Sequence, residues 1–181
     1  MICWLASYPR SGNTLFRILV HRYFGVETWS RHGDGAARDI NDAMSDVVGF
    51  VPHDALDEVR LGEMAASEGY ALVKTHDLPP ADNAFPAICI IRDGRSAITS
   101  YGQYRDRPGD VGATLADVIA GRVQFGSWSD HVAAWLDAPL PRRLVLRYED
   151  LVAAPGPAMQ AVGAFLGWTP LDAMPPDFTE L

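Results

Sequence analysis

Three groups of polar and basic side chains in this sequence are of the types that act on an anionic substrate. Residues 7–14, Ser-Tyr-Pro-Arg-Ser-Gly-Asn-Thr, place one cation among small polar residues. Lys74 and His76 are separated by one residue, and Arg92 is followed farther along the chain by Ser100. Cations neutralise charge that develops on a leaving group, and a histidine can accept a proton near neutral pH. These residue types therefore suit the transfer of a charged group.

Residues 7–14 connect a predicted strand to a predicted helix. The unbroken apolar run over residues 1–6 predicts a parallel strand that is buried on both faces. Residues 15–24 have helical spacing, and Gly25 is a typical helix stop. Backbone N–H groups converge at such a corner, and the helix dipole favours an anion there.

The loop is similar to the P-loop pattern G-x-x-x-x-G-K-[ST] with some of its residues changed. Gly12 and Thr14 match the pattern, whereas Asn13 stands in place of the lysine that reaches the phosphates of a nucleoside triphosphate. The cation here is Arg10, inside the loop, which suits an anion held by backbone and one arginine. A polar turn that caps the helix through Ser11 or Asn13 is the alternative interpretation.

Two further strands are predicted to end in polar residues. The first part of residues 70–80 is predicted to form a short strand, and Lys74 and His76 point to the same side if the strand continues. Parallel sheets place their chemistry at this end of a strand. A solvated lysine and a capping histidine are the alternative.

Residues 86–91 form the next predicted strand, and residues 97–104 the helix after it. A phosphate beside that helix could accept hydrogen bonds from both Arg92 and Ser100. The alternative is a structural ion pair between Arg92 and Asp93 with an exposed serine.

The remaining pattern predicts an α/β fold, namely a P-loop-like three-layer α/β/α architecture with a central parallel sheet. His131 lies on the apolar face of one predicted helix and is interpreted as a packed, hydrogen-bonded residue rather than a catalyst. Further elements are predicted as helices over residues 54–67 (apolar face Leu56, Val59, Leu61 and Met64), 114–121, 126–136 and 157–165, and a strand over residues 143–148.

Two segments lack a regular pattern. Residues 25–53 are predicted to be a substrate lid or wall, or else a surface loop with a short helix near residues 40–44. His32 and His53 within this segment are interpreted as ordinary surface histidines. Residues 170–181 are predicted to be a loosely ordered tail.

The composition is that of a globular protein. The 181 residues are 48% hydrophobic and 21% charged, with a net charge of −8. Such acidity argues against general binding to nucleic acid or to a membrane surface. Cys3 and Cys89 lie in apolar runs and are predicted to be buried, reduced thiols, and no cluster suggests a metal site. Without a leader-like pattern or a run long enough to span a bilayer, we expect a single cytoplasmic domain over residues 1–181.

Taken in order, these segments resemble the PAPS-dependent sulfotransferases, especially the cytosolic type; PAPS is 3′-phosphoadenosine 5′-phosphosulfate. The resemblance runs from about residue 5 to residue 167, with gaps between residues 25 and 69. Five motifs carry it: Tyr-Pro-Arg-Ser-Gly-Asn-Thr at 8–14, Lys-Thr-His-Asp-Leu-Pro at 74–79, Ile-Arg-Asp-Gly-Arg through Ser-Tyr at 91–101, Gly-Ser-Trp with His131 and Trp135 from 126, and Arg-Tyr-Glu-Asp-Leu at 147–151.

The resemblance implies roles for individual residues. It implies that Arg92 and Ser100 bind the 3′-phosphate and that Tyr148 contacts adenine. Leu15 stands where many relatives have an aromatic residue that stacks on the base. The 5′-phosphosulfate site is implied to be the loop of Arg10, Ser11, Gly12, Asn13 and Thr14.

The resemblance also implies the reaction, which is sulfuryl transfer from PAPS to a hydroxyl or amine of a small-molecule acceptor, leaving PAP. His76 resembles the catalytic base, while Lys74 and Arg10 are the implied cations beside the transferring group. The sequence ends without the family's C-terminal 3′-phosphate segment and dimerisation motif, so another cation such as Arg95 or Arg17 is expected to help, and the oligomeric state is left open. The alternatives are a non-catalytic relative that binds PAP or PAPS, and a P-loop small-molecule kinase.

Overall fold

A parallel sheet forms the centre of the fold. The computed structural model describes residues 1–33, 47–51, 53–105 and 113–171. The strands are β1 (Ile2–Ser7), β2 (Trp29–Ser30), β3 (Ala71–Thr75), β4 (Ala87–Ile91) and β5 (Arg143–Arg147). They lie in the order β2-β3-β1-β4-β5 within one five-stranded sheet. The predicted P-loop-like α/β fold with a central parallel sheet is confirmed.

Helices connect or flank these strands in the described ranges. They are α1 (Asn13–Phe24), α2 (Glu58–Ala66), α3 (Gly94–Arg105), α4 (Leu115–Ile119), α5 (Trp128–Asp137), α6 (Tyr148–Ala153) and α7 (Pro155–Leu166). The short helix predicted near residues 40–44 lies outside the described residues, as does most of the predicted tail.

Two details of the helices differ from the predictions. Helix α2 begins later than expected because Asp57 caps it, accepting a hydrogen bond from the Arg60 N–H. Leu56 is therefore buried before the helix, while Val59, predicted on the apolar face, has 73% of its surface exposed. Tyr148 does not end β5 as predicted but begins helix α6.

Strands β1, β4 and β5 pair in parallel register, which brings their carboxyl ends to one edge. Ser7 pairs with Ile90, and Ile91 pairs with Arg147. Cys3 on β1 and Cys89 on β4 are buried free thiols, as predicted, and burial raises the pKa of each to about 12. The segments that follow β1, β4 and β5 therefore start close together.

The described chain divides into two compact units. The first comprises Met1–Ile2, Thr14–Val73 and Asp150–Leu181, and the second comprises Cys3–Asn13 and Lys74–Glu149. The prediction of a single domain over residues 1–181 stays a prediction.

The second unit contains most of the residues to which the sequence assigns chemistry. Its core packs Tyr8, directly after β1, against Ala97 and Tyr101 of α3 and Val118 of α4. Helix α3 also packs against α5. This core fixes the loop after β1 relative to α3, and these are the two elements that bear Arg10 and Ser100.

Candidate anion-binding and catalytic site

The loop after β1 has an unusual backbone. Arg10 has φ of 63°, which makes it the single non-glycine residue with positive φ in the described parts of the chain, and Gly12 has φ of 97°. The Ser11 N–H donates to the Tyr8 carbonyl at 3.2 Å, which closes a tight turn just before α1. Left-handed residues in such turns arrange successive N–H groups around a concavity that accepts an anion.

The side chains of Ser11 and Asn13 differ in their hydrogen bonding. Ser11 is only 1% exposed, and its hydroxyl has no hydrogen-bond partner among the described residues. Asn13, by contrast, faces inward: its amide N–H groups donate to the Leu5 carbonyl and the Ser7 hydroxyl, each at 3.1 Å. The residue at the position of the P-loop lysine therefore holds the loop to β1. Thr14 is exposed and Leu15 half-buried in the first turn of α1.

The ends of β1, β4 and β5 meet through Arg92. The Arg92 guanidinium donates to the Arg10 carbonyl at 2.9 Å and lies 4.5 Å from the centre of the Tyr148 ring. That ring in turn covers Gly12, where an added Cβ would lie 2.9 Å from Cε2 and closer still to Cδ2. Only glycine fits beneath the ring. Gly12, Tyr148 and Arg92 therefore form one packed stack.

An open cavity of about 580 Å³ lies along the start of α3. Ser100 lines it, and its hydroxyl accepts a hydrogen bond from Arg10 Nε at 3.2 Å. The Arg10 guanidinium also lies 5.3 Å from the centre of the Tyr104 ring, a contact that the sequence motifs do not indicate. The structure thus brings Arg10, Arg92 and Ser100 together. The cavity is lined by Arg92, Asp93, Arg95, Ser96, Thr99, Ser100 and Gln103.

Asp93, the alternative ion-pair partner for Arg92, bonds to other residues. Asp93 accepts hydrogen bonds from the Ser96 N–H at 3.0 Å and hydroxyl at 3.1 Å, and it pairs with Arg95 at 3.4 Å. These bonds, with the backbone N–H of Ser96 foremost, lower the pKa of Asp93. Of the two extra cations named from the sequence, Arg95 lines the cavity, whereas Arg17 is 3% exposed and donates to Thr28 within the first unit.

His76 follows β3 and points its ring to the end of β1. Its Nδ1 lies 2.7 Å from the Ser7 carbonyl and 3.5 Å from the Ser7 hydroxyl. A carbonyl only accepts, so Nδ1 carries the proton and Nε2 of the neutral ring remains a proton acceptor. The Phe125 ring stands edge-on at 5.5 Å. Lys74 lies half-buried on β3, and its predicted position on the same side as His76 stays a prediction.

Two histidines outside the loop have structural partners. His131 is 2% exposed and donates from Nε2 to the His76 carbonyl at 3.0 Å, which confirms that it is packed and hydrogen-bonded. Burial lowers its pKa to about 4, so it is neutral at physiological pH. His53, predicted to be an ordinary surface residue, is instead packed 5.1 Å from the Trp29 ring and accepts a bond from the Ser30 N–H.

Neither a metal-binding cluster nor a membrane-spanning helix is found in the described ranges. No group of three or more His, Cys, Asp or Glu side chains in those ranges is placed to hold a metal ion. Among the same residues, no helix has the length and apolar character needed to cross a membrane.

Solved structures share the fold. The chain superposes on a mouse sulfotransferase solved with PAP at a TM-score of 0.66, with 21% identity over 94% of this chain and 59% of that one. It superposes on retinol dehydratase in complex with androsterone and PAP at 0.59, with 18% identity over 93% and 60% of the two chains. At these identities the likeness shows the fold alone.

Sequence comparison extends over most of the chain. Sulfotransferase 1B1 of Mus musculus is 26% identical over 179 residues, and Sulfotransferase 1E1 of Cavia porcellus is 27% identical over 163 residues. The matches cover 91% and 81% of this chain but only 58% and 52% of those relatives, so the chain spans little more than half their length. The family model described as "Sulfotransferase domain" matches residues 3–175. Since that match covers nearly the whole chain, including the loop after β1 and the ends of β3, β4 and β5, the chain belongs to the sulfotransferase family.

Proposed function

We propose that this protein transfers a sulfuryl group from PAPS to a hydroxyl or amine of a small-molecule acceptor and releases PAP. One observation carries the proposal: the hydrogen bond of His76 Nδ1 to the Ser7 carbonyl at 2.7 Å. It places a histidine whose Nε2 can accept a proton beside the first residue of a loop suited to an anion. Family membership supports the same reaction.

The donor site is assigned to the residues that surround the loop and the α3 cavity. The loop N–H groups with the Ser11 and Thr14 hydroxyls would receive the 5′-phosphosulfate, and the buried Ser11 hydroxyl, which has no partner among the described residues, fits that role. Arg92 and Ser100 would receive the 3′-phosphate at the cavity they share. Arginine suits such a site because its planar fork matches phosphate oxygens.

The adenine base is assigned to the neighbouring contacts. Tyr148, held between Gly12 and Arg92, would contact adenine, and Leu15 would offer the base no aromatic stacking. Asn13 is assigned to the loop's binding function through its backbone N–H, because its side chain is used within the protein.

The transfer itself is a displacement at sulfur. The acceptor oxygen or nitrogen forms a bond to sulfur as its proton passes to His76 Nε2. The bond from sulfur to the 5′-phosphate oxygen breaks, and its electron pair leaves with that oxygen. Arg10 and Lys74 would neutralise the charge that develops there. A positioned base contributes about 10²- to 10⁴-fold to such a rate.

The acceptor is proposed to be a small organic molecule. Two neighbours with the same fold are retinol dehydratase solved with androsterone and with retinol, both together with PAP. The Phe125 ring beside His76 provides an apolar surface that suits an acceptor of this kind.

Calorimetric titration tests the donor site first. We expect PAP to bind without magnesium and at least about tenfold more tightly than ADP, a difference of about 1.4 kcal/mol. Arg92→Gln should remove most of that preference. Arg147→Gln is the matched control, since Arg147 is an exposed arginine at the end of the adjacent strand and does not line the cavity. A preference for ATP with magnesium would contradict the proposal and favour a kinase.

Turnover is then measured with PAPS and a panel of phenols, alcohols and amines. His76→Ala should lower kcat by about 10²- to 10⁴-fold while PAP binding is retained. His32→Ala, at an exposed histidine of the first unit, serves as the control. PAP binding without turnover of any acceptor would identify a non-catalytic relative instead.

A further inference from the structure

Helix α5 contacts the segment that bears His76 through two ring N–H groups. His131 Nε2 donates to the His76 carbonyl at 3.0 Å, and Trp135 Nε1 donates to the Asp77 carbonyl at 2.9 Å. The two donors are four residues apart, so they lie on the same face of the helix. They bond two consecutive carbonyls of the chain.

Both carbonyls lie just past the end of strand β3. Strand β3 ends at Thr75, so His76 and Asp77 lie beyond the hydrogen-bonded ladder. A buried carbonyl that loses a hydrogen-bond partner costs free energy, so each of these two bonds helps to hold the segment in place. The Asp77 N–H donates to the Thr75 hydroxyl at 3.0 Å, which fixes the segment from the other direction.

The donors are themselves held rigidly. His131 and Trp135 are each 2% exposed. The Tyr8 ring stands edge-on to His131 at 5.6 Å, and the Tyr8 hydroxyl donates to the Gly126 carbonyl just before α5. Tyr8 follows Ser7, whose carbonyl accepts the bond from the His76 ring. Ser7 therefore holds the His76 ring, and the next residue, Tyr8, packs against the His131 ring that bonds the His76 backbone.

We propose that His131 and Trp135 are positioning residues for His76. They hold the His76–Asp77 backbone so that the ring keeps its Nδ1 bond to Ser7 and directs Nε2 to the acceptor. His131 acts as a neutral hydrogen-bond donor and takes no proton in the reaction. The catalytic part of this inference rests on the proposed sulfuryl transfer, whereas the positional part concerns the His76 ring alone.

The test compares two substitutions of His131. His131→Phe keeps a flat ring but has no donor, and His131→Gln keeps an amide N–H at a similar reach. We expect His131→Phe to lower kcat about 10- to 100-fold, since small displacements of a reacting group have effects of this size. The KM for PAPS and the PAP affinity should stay within about twofold, and His131→Gln should recover most of kcat.

The inference is overturned if folded His131→Phe keeps kcat within about threefold of the wild type. It is equally overturned if His131→Gln is as impaired as His131→Phe, because the donor would then be irrelevant. Should His131→Phe not fold, Trp135→Phe replaces it: this variant keeps an aromatic ring, loses the bond to the Asp77 carbonyl, and should lower kcat with unchanged PAP binding. An unaltered kcat in that variant would overturn the inference.

A second readout does not depend on turnover. Nitrogen-15 NMR of the histidine rings should show His76 as the Nδ1–H tautomer in the wild type and in His131→Gln. In His131→Phe we expect a mixture of tautomers or an exchange-broadened ring. If the wild type transfers no sulfuryl group, the proposed function fails, but these spectra still decide whether His131 positions His76. Identical His76 spectra in all three proteins would overturn the positioning role.

Discussion

Replacing Gly12 with alanine is the sharpest test of the packing of Tyr148 over the loop after β1. An added Cβ would lie 2.9 Å from Cε2 of Tyr148 and closer still to Cδ2, and Gly12 has φ of 97°. Alanine therefore meets both a steric clash and an unfavourable backbone conformation. We expect Gly12→Ala to destabilise the protein and to weaken PAP binding together.

The loss of stability in Gly12→Ala is the sum of the cost of the backbone conformation and the cost of the steric clash. A non-glycine residue in a left-handed conformation costs about 1–2 kcal/mol. Forcing an extra carbon into a packed position costs about 1–3 kcal/mol more. The total of about 2–5 kcal/mol is a large share of the stability of a typical domain, which is about 5–15 kcal/mol. The displaced Tyr148 ring would also disturb Arg92, which lies 4.5 Å from the ring centre.

A double-mutant cycle separates the two terms. Urea unfolding measures the free energy for the wild type, Gly12→Ala, Tyr148→Ala and the double variant. Without the Tyr148 ring the clash disappears, so Gly12→Ala should cost only its backbone term of about 1–2 kcal/mol in that background. The coupling energy should be about 1–3 kcal/mol.

Additive costs in the cycle would refute the close packing of Tyr148 over Gly12. A Gly12→Ala variant as stable as the wild type would refute both the packing and the left-handed backbone at this position. Gly62→Ala is the matched control, because an added Cβ there meets nothing within 4 Å. That substitution lies inside α2 and should be neutral or stabilising.

Three further predictions concern stability and thiol chemistry. Burial lowers the pKa of His131 from 6.5 to about 4, so between these pH values the unfolded chain binds a proton that the folded chain excludes. The free energy of unfolding should therefore fall by up to about 3 kcal/mol as the pH drops from 6.5 to about 4. Urea titrations between about pH 4.5 and 7 should show this pH dependence in the wild type and not in His131→Gln. Cys3 and Cys89 should react with a thiol reagent only as fast as the protein unfolds, and a rapid phase in native protein would contradict their burial. Ser127→Ala should cost about 1 kcal/mol of unfolding free energy by removing the bond that Ser127 accepts from the Asp130 N–H, whereas Ser129→Ala on the exposed face should not.

Strands β1, β4 and β5 could be predicted from the sequence because each contains a continuous apolar run, whereas β2 lies in the segment 25–53, for which the sequence predicts no strand. A short run of apolar residues such as β1, buried on both faces, is typical of a central strand in a parallel sheet. The polar segments that follow such strands then lie at the same edge of the sheet. The same logic indicates chemistry at Arg10, His76 and Arg92, each of which follows a strand. Local capping signals are also informative, since serine is a favoured N-cap residue and Ser127 caps α5.

Other features depend on contacts that no local pattern encodes. The bond from His131 to the His76 carbonyl spans 55 residues of sequence, and the shared helix face of His131 and Trp135 is the one signal that both rings meet the same segment. Val59 fits an apolar stripe but is exposed because the capping Asp57 starts the helix after Leu56. Asn13 fits a ligand position in the loop pattern, yet its amide is used to hold the loop to β1.

The contacts of Arg10 join the two halves of the proposed donor site. Its carbonyl accepts a bond from Arg92, and its Nε donates to Ser100 in the α3 cavity. A ligand that carries charge at both the loop and the cavity would therefore meet groups that already contact one another, and binding at one end should alter the other. Substitutions of Arg10, Arg92 and Ser100 are consequently not independent, because removing any one of them changes the partners of the rest. Their individual effects on PAP affinity should sum to a value different from the effect of the triple substitution.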